Sequence, residues 1–275
     1  MKTRLTVLVE NDTARADLAA EHGLAVWIEL NGRRVLFDTG QTDAVCRNAL
    51  VLGIDLSRAD AMVLSHGHYD HTGGLPAVLE KTGRMAVFAH PDALLPRYAR
   101  NRDGSTRTIG MCGATREALL ASGGIRATVT PSRIVDGLTA TGAVPRLTGY
   151  EDTGGAFFRD PACCRPDELH DDQAVFVDTP DGTVVVLGCA HAGIINTLRY
   201  VRKLTGNRPI RAVLGGTHLV SAGTERMART VAALRELDVE RLYPVHCTGE
   251  AAAARLRSEF PERVADAPAG TVLEF

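Results

Sequence analysis

The sequence predicts an α/β fold of two β-rich halves with helices on the outside, and three observations carry that expectation. The chain opens on alternating strands; an apolar strand then runs into a loop, a helix and another strand; and strand–helix alternation returns in the second half. No linker, internal repeat or low-complexity tract interrupts residues 1–275, which read as one domain. A chain this long buries a sizeable core unaided, so a metal here would serve chemistry rather than folding.

Strand patterning is expected at 5–9, 24–30 and 35–37, with Asn31-Gly32 as the hairpin turn between the last two. Residues 43–52 have helical spacing, and the apolar run 61–64 leads directly into Ser65-His66-Gly67-His68. A helix at 75–81 and a strand at 85–89 follow. The stretch 91–113 interleaves Arg97, Arg100, Arg102 and Arg107 with Asn, Asp, Gly and Ser and has weak periodicity, the pattern of a mobile insertion or lid. Strand signals resume at 126–130, 133–135, 138–141, 173–178 and 183–188, the last pair joined by Pro180-Asp181-Gly182, and read as a second β layer. Helices at 194–205, 225–237 and 250–259 alternate with strands at 212–214 and 241–245, and 271–275 closes as an edge strand.

Charge and cysteine usage narrow the function. With 31 Lys plus Arg against 33 Asp plus Glu, no global field recruits nucleic acid or an anionic membrane. Apolar runs such as 183–187 fall far short of the ~20 residues that cross a bilayer. Cys46, Cys112, Cys163, Cys164, Cys189 and Cys247 contain no C-x-x-C pair, and no basic-then-apolar leader opens the chain, so a cytoplasmic protein with reduced thiols is expected.

The segment His66-Gly67-His68-Tyr69-Asp70-His71 places three imidazoles and a carboxylate within six residues, the donor set of zinc-type metals. His66 and His68, two apart in an extended stretch, point to one side, whereas Asp70 and His71 follow a turn and face an adjacent position. Partner ligands are sought at other strand ends. Gly188-Cys189-Ala190-His191 and Val245-His246-Cys247 each follow an apolar run and precede a helix, so these loops can converge on the first motif. Cys189 reads either as a ligand or as a small buried residue.

Ser65 to His71 followed by Gly73-Gly74, with Leu36-Phe37-Asp38-Thr39-Gly40 upstream, resembles the metallo-β-lactamase fold superfamily over nearly the whole chain. Thr141-Gly142-Ala143-Val144-Pro145-Arg146, Gly188 to Asn196, Gly215-Gly216-Thr217-His218-Leu219 and His246-Cys247-Thr248-Gly249 resemble its branch of ribofuranosylaminobenzene 5′-phosphate (dihydropterin) synthase-like proteins. The resemblance implies an αββα sandwich of two mixed sheets with a binuclear site at one edge. His66, His68 and a third histidine would hold one metal; Asp70, His71 and His246 the other; a shared residue and a water complete it. The commoner pattern ends a strand in Gly-Asp and uses that Asp as the bridge, where this chain has Gly188-Cys189. His191 is favoured as the third histidine for its glycine-flanked strand end, with His170 as the alternative.

The implied cofactor is one or two Zn²⁺ per chain, Mn²⁺ or Fe²⁺ sharing such ligands, and the implied chemistry is hydrolysis or group transfer through a metal-activated water. Asp70 would orient that water. Asp38 reads either as an acceptor for a ligand histidine N–H or as a turn residue. His218 reads either as a proton donor or substrate contact, or as structural. Arg97 and Arg107 are candidates for binding a phosphate or carboxylate, against a solvated charged loop. The partners expected are a small anionic metabolite and, compatibly, a second copy in a homodimer. An RNA-processing nuclease is disfavoured by the charge balance, and a metal-binding protein without catalysis is the competing class.

Overall fold

The computed structural model describes residues 2–13, 15–101 and 103–275. In chain order the first half carries β1 (Thr3–Val9), β2 (Ala25–Leu30), β3 (Arg33–Phe37), α1 (Ala44–Val51), β4 (Ala61–Val63), α2 (Tyr69–Thr72), α3 (Leu75–Thr82) and β5 (Ala86–Ala89). There follow β6 (Tyr98–Arg100), β7 (Thr106–Thr108), α4 (Gly113–Ala121), β8 (Ile125–Ala127), β9 (Ser132–Val135), β10 (Leu138–Ala140) and β11 (Phe157–Phe158). The second half adds β12 (Ala174–Thr179), β13 (Gly182–Leu187), α5 (Ile194–Leu204), β14 (Ile210–Gly216), α6 (Thr224–Glu236), β15 (Arg241–Val245), α7 (Glu250–Glu259) and β16 (Val272–Glu274).

Two mixed sheets result, ordered β16-β1-β2-β3-β4-β5-β8 and β15-β14-β13-β12-β10-β9. Their facing side chains, among them Val7, Val26, Ile28, Phe37, Val63, Val175, Val177, Val184, Val186 and Leu214, form one buried core. The outer face of the first sheet packs Leu36, Met62, Leu64 and Val87 on Val45, Leu75, Val78 and Leu119 of α1, α3 and α4. The second packs Val185, Leu187 and Val213 on Ile194, Leu198, Leu234 and Leu256 of α5, α6 and α7. Helix, sheet, sheet and helix are therefore stacked as αββα. With both faces covered, all six residues of β13 are buried and apolar or small, as a central strand requires.

The hairpin between β2 and β3 turns at Asn31 (φ 50) and Gly32 (φ 75), the left-handed pair that suits a two-residue connection. One expected strand falls in a different layer: the segment at 126–130 is β8, shorter than expected and paired parallel to β5 in the first sheet. Alternation alone does not say which sheet a three-residue strand joins. Within 91–113 lie β6 and β7, which with β11 form a small third sheet. Short strands and a turn at Pro91–Leu94 account for the weak periodicity. No helix among the described residues is long and apolar enough to cross a membrane.

The parallel strands position the site. Phe37 pairs with Val63, so β3 and β4 end side by side; Leu187 pairs with Gly215 and Gly216 with Val245, so β13, β14 and β15 do the same. Loops leaving adjacent carboxyl ends share one edge of the fold.

Candidate metal centre

Asp38 leaves β3 in a left-handed conformation (φ 59) and is fully buried. Its Oδ1 accepts the Ser65 backbone N–H at 2.7 Å, and its Oδ2 accepts the Ser65 hydroxyl and the His71 Nδ1–H, each at 2.7 Å. Ser65 Oγ lies 2.8 Å from His66 Nδ1. With their Nδ1 atoms engaged, His66 and His71 turn Nε2 toward the cluster, the arrangement that leaves that nitrogen to bind a metal. His66 Nε2 stands 3.0 Å from His68 Nδ1, and α2 carries Asp70 and His71 in one turn, with Asp70 Oδ2 3.6 Å from His71 Nε2. Gly67 passes so close to Ala93 that a Cβ would sit 2.1 Å from its carbonyl oxygen, which restricts the position between the two histidines to glycine.

The second half supplies the remaining donors. His191, fully buried, donates Nδ1–H to Thr153 O at 2.7 Å, and its Nε2 has no protein partner. His246 turns out of β15 with φ 54; Asn11 Oδ1 stands 3.1 Å from its Nδ1, and its backbone N–H donates to Glu10 Oε1 at 2.6 Å. Its Nε2 lies 3.1 Å from His71 Nε2 and 3.3 Å from Asp70 Oδ2. Cys189 belongs to three convergent groups, one with His66 and His191, one with His71 and His246 and one with His218 and Cys247, the donor atoms of each within 4.8 Å of one another. Its sulfur is 3.1 Å from His71 Nε2.

These residues fit a divalent metal. Donors about 2.1 Å from one ion stand about 3.0 Å apart at right angles and about 3.4 Å apart at the tetrahedral angle, the spacing seen here. A buried imidazole nitrogen without a partner, as at His191, costs stability unless something binds it. Burial holds His66, His68 and His191 well below the usual histidine range, so their lone pairs are free at neutral pH. Burial also opposes charge on His71, but Asp38 and Asp70 outweigh it and raise that imidazole to about 9. Burial lifts the Cys189 thiol well above its ordinary value. A cation entering at neutral pH therefore displaces protons from His71 and Cys189.

Around the cluster, Phe157 stands 5.2 Å from the His68 ring and 5.4 Å from the His191 ring. His218, half-buried at φ 47, lies 4.4 Å from the His191 ring, and its Nδ1 has no partner. Cys247 is a buried neighbour of both Cys189 and His218.

His66, His68, Asp70, His71, Cys189, His191 and His246 are thus brought together, with His218 beside them. His170 is not: it is exposed and pairs with Glu168 at 3.2 Å. Its neighbours brace the loops instead, Asp171 accepting Gly67 N–H, Asp172 accepting Ala192 N–H, and Gln173 donating to Leu64 O. Arg97 corrects the expectation of a substrate-binding arginine. It is 1% exposed, and its guanidinium is committed to Asp171 at 2.5 Å and Asp167 at 3.0 Å. Arg107 is exposed on β7, and Arg100 donates to the carbonyls of Ala162 and Cys163. Arg102 lies outside the described residues. Sequence reasoning missed His22, whose Nε2 is 3.2 Å from Asp70 Oδ2, and Asn11 and Thr153, which orient His246 and His191. No local spacing marks any of them.

Gly188 gives a first test. A Cβ there would lie 2.1 Å from Ser65 Oγ, pushing that hydroxyl off Asp38 and His66. Gly188→Ala is expected to cost about 1–3 kcal/mol in urea unfolding and about 10- to 100-fold in metal affinity, read by chelator competition. Unchanged affinity would show that Ser65 does not hold His66 in place.

Two face-to-face sheets between helices, with imidazole, carboxylate and thiol donors gathered at strand ends, define a metal-site protein of the metallo-β-lactamase type. Residues 19–246 match the Metallo-beta-lactamase superfamily, and the chain belongs to it. An uncharacterised Methanocaldococcus jannaschii protein is 36% identical over 255 residues, spanning 92% of this chain and 93% of that one. A second protein of that organism, named 7,8-dihydropterin-6-methyl-4-(beta-D-ribofuranosyl)-aminobenzene-5'-phosphate synthase, is 30% identical over 268 residues, 93% of this chain and 90% of its own. The crystal structure of Tm1679, described as a metal-dependent hydrolase of the beta-lactamase superfamily, superposes with a TM-score of 0.85 at 32% identity, covering 99% of each chain.

Proposed function

We propose that this chain is a binuclear zinc-type enzyme that hydrolyses, or transfers a group from, a small anionic metabolite of phosphorylated or pterin-like character. One observation carries the reading: Cys189 shares donor groups with both His66/His191 and His71/His246, so its sulfur would be within reach of an ion held by either set. Nitrogen and sulfur donors with a single carboxylate favour zinc among the common divalent ions. When bound, the ions lower the pKa of water and neutralise charge on substrate oxygens.

The chain's own groups divide the remaining work. His66, His68 and His191 would hold the first position and Asp70, His71 and His246 the second, while Asp38, Ser65, Thr153 and Asn11 keep the imidazoles turned inward. Asp70 would also accept a hydrogen bond from the attacking water and so orient it. His218, partly exposed beside His191, is placed to contact substrate and deliver a proton to the leaving group. The Phe157 ring beside His68 and His191 offers a planar substrate an apolar face. A phosphorylated substrate draws support from the name of the 30% identical synthase.

The test is elemental analysis of purified protein joined to turnover of phosphomonoester, phosphodiester and lactone substrates. Two ions per chain are expected, with activity abolished by a chelator and restored by zinc. Turnover that survives complete metal removal would sink the proposal; bound metal with no turnover of any substrate would favour the non-catalytic reading.

A further inference from the structure

The three Nε2 atoms around Asp70 Oδ2 belong to His246 at 3.3 Å, His71 at 3.6 Å and His22 at 3.2 Å. His22 precedes β2 and lies outside every motif that marks the centre, yet its donor atom joins those of Asp70 and His246 within 4.8 Å, and its ring stands 4.9 Å from that of His246. We propose that His22 is a direct ligand of the second metal position, completing a set of three imidazoles and one carboxylate there. This inference rests on the two-position reading of the site.

The backbone holds His22 in place from both sides. Glu21 N–H donates to Glu10 O at 3.1 Å, and its carboxylate accepts the Gln41 and Thr42 backbone N–H groups. Gly23 N–H donates to Asn11 Oδ1 at 3.2 Å, and Leu24 N–H to Asp70 O at 3.3 Å. At residue 23 a Cβ would lie 2.5 Å from Asp70 O, so the chain passes directly against the ligand loop. Glu10 and Asn11 thus position His22 and His246 together. With the backbone fixed on both sides of His22, a metal has only the side-chain rotamer freedom left to take from it.

The spacing has the size of a coordination polyhedron. The 3.2 Å separation of His22 from Asp70 falls inside the 3.1–3.6 Å spread of the other second-position pairs. Chemistry gives a reason for the extra ligand: a sulfur shared between two ions would give less to each than a carboxylate with two oxygens, and a third imidazole would restore donor strength at the second position. The side chain of His22 is 54% exposed, whereas those of His71 and His246 are fully buried, so His22 is the member of this set that first meets an ion arriving from solvent.

The competing role is a hydrogen bond that merely orients Asp70, and a glutamine separates the two, because it can donate to the carboxylate but is a poor metal ligand. The experiment titrates zinc and cobalt(II) into the metal-free parent chain, His22→Ala and His22→Gln under chelator competition, recording the cobalt spectrum and ions bound per chain. In both variants the second ion should bind about 100-fold or more weaker, beyond the usual effect of an outer hydrogen-bonding partner. The first ion should be unaffected, and the second cobalt's visible bands should change with its coordination number. Parent-like affinity for the second ion in either variant overturns the inference alone. A parent chain that takes up only one ion overturns the two-position reading together with the inference. Equal thermal unfolding of the three metal-free proteins confirms that exposed residue 22 acts on the metal rather than on folding.

Discussion

Cys189→Ala is expected to reduce bound metal from two ions per chain to one and to lower turnover by more than about 100-fold, the range above that of an outer-sphere change. The sulfur sits within reach of both imidazole groups, so its loss removes a donor from each position at once. The first position retains His66, His68 and His191; the second is left with Asp70, His71, His246 and the neighbour at 22. Cys189→Asp gives the informative contrast. A carboxylate keeps two oxygens available for bridging but is a harder donor, so two ions should still bind while preference moves from zinc toward manganese. Cobalt-loaded protein should then lose the sulfur charge-transfer absorption that the parent shows. Persistence of that absorption in Cys189→Asp would mean that another thiol, with Cys247 the nearest candidate, is the sulfur ligand.

Arg97→Ala should be the most damaging change away from the donors. Asp167 and Asp171 have fully buried side chains and both pair with this guanidinium; Asp167 keeps Arg159 at 2.8 Å as a second partner, whereas Asp171 loses the guanidinium that pairs with both of its oxygens. Removing one partner of a buried ion pair leaves uncompensated charge and costs about 3–5 kcal/mol, for a chain of this size a fall in melting temperature on the order of 10 °C. The damage should reach the centre, because Asp171 Oδ2 also accepts the Gly67 backbone N–H between His66 and His68. Differential scanning fluorimetry with and without zinc measures both effects. A shift of under about 1 °C would be incompatible with the buried network.

The contrast between Arg97 and His66 shows what a sequence reveals. His66, His68, Asp70 and His71 are legible because their spacing is itself the geometry: consecutive residues on one strand end and one helical turn cannot be far apart. Cys189, His191 and His246 were reachable because loops leaving parallel strands share an edge. Arg97 was misread because charge is visible in a sequence while its partners, Asp167 and Asp171, are seventy and more positions away. His170 reads as a candidate ligand in the sequence because it lies just before the strand pair that leads to Cys189, although the structural content of that segment lies in Asp171, Asp172 and Gln173, which bond backbone groups of distant loops and, for Asp171, the Arg97 guanidinium. β8 went to the wrong layer because pairing partners of a three-residue strand are set by packing. The helix α4 passed unread, although Thr115 and Leu119 carry its buried face at helical spacing.

Asp38, Ala190, His218 and His246 all hold left-handed backbone conformations without being glycine, each at a cost of roughly 1–2 kcal/mol. The two sheets and their helices must therefore be stable enough to keep four loop residues off their preferred conformations. This sets stabilisation against function in any engineered form. Glycine at 190 would relax the turn between Cys189 and His191 and ease folding, yet the same freedom would let the two donors drift apart. Selection for thermal robustness alone would reward such changes, while selection for catalysis would remove them. Thermostable variants worth keeping should then carry their substitutions on the outer helices and leave these loops untouched.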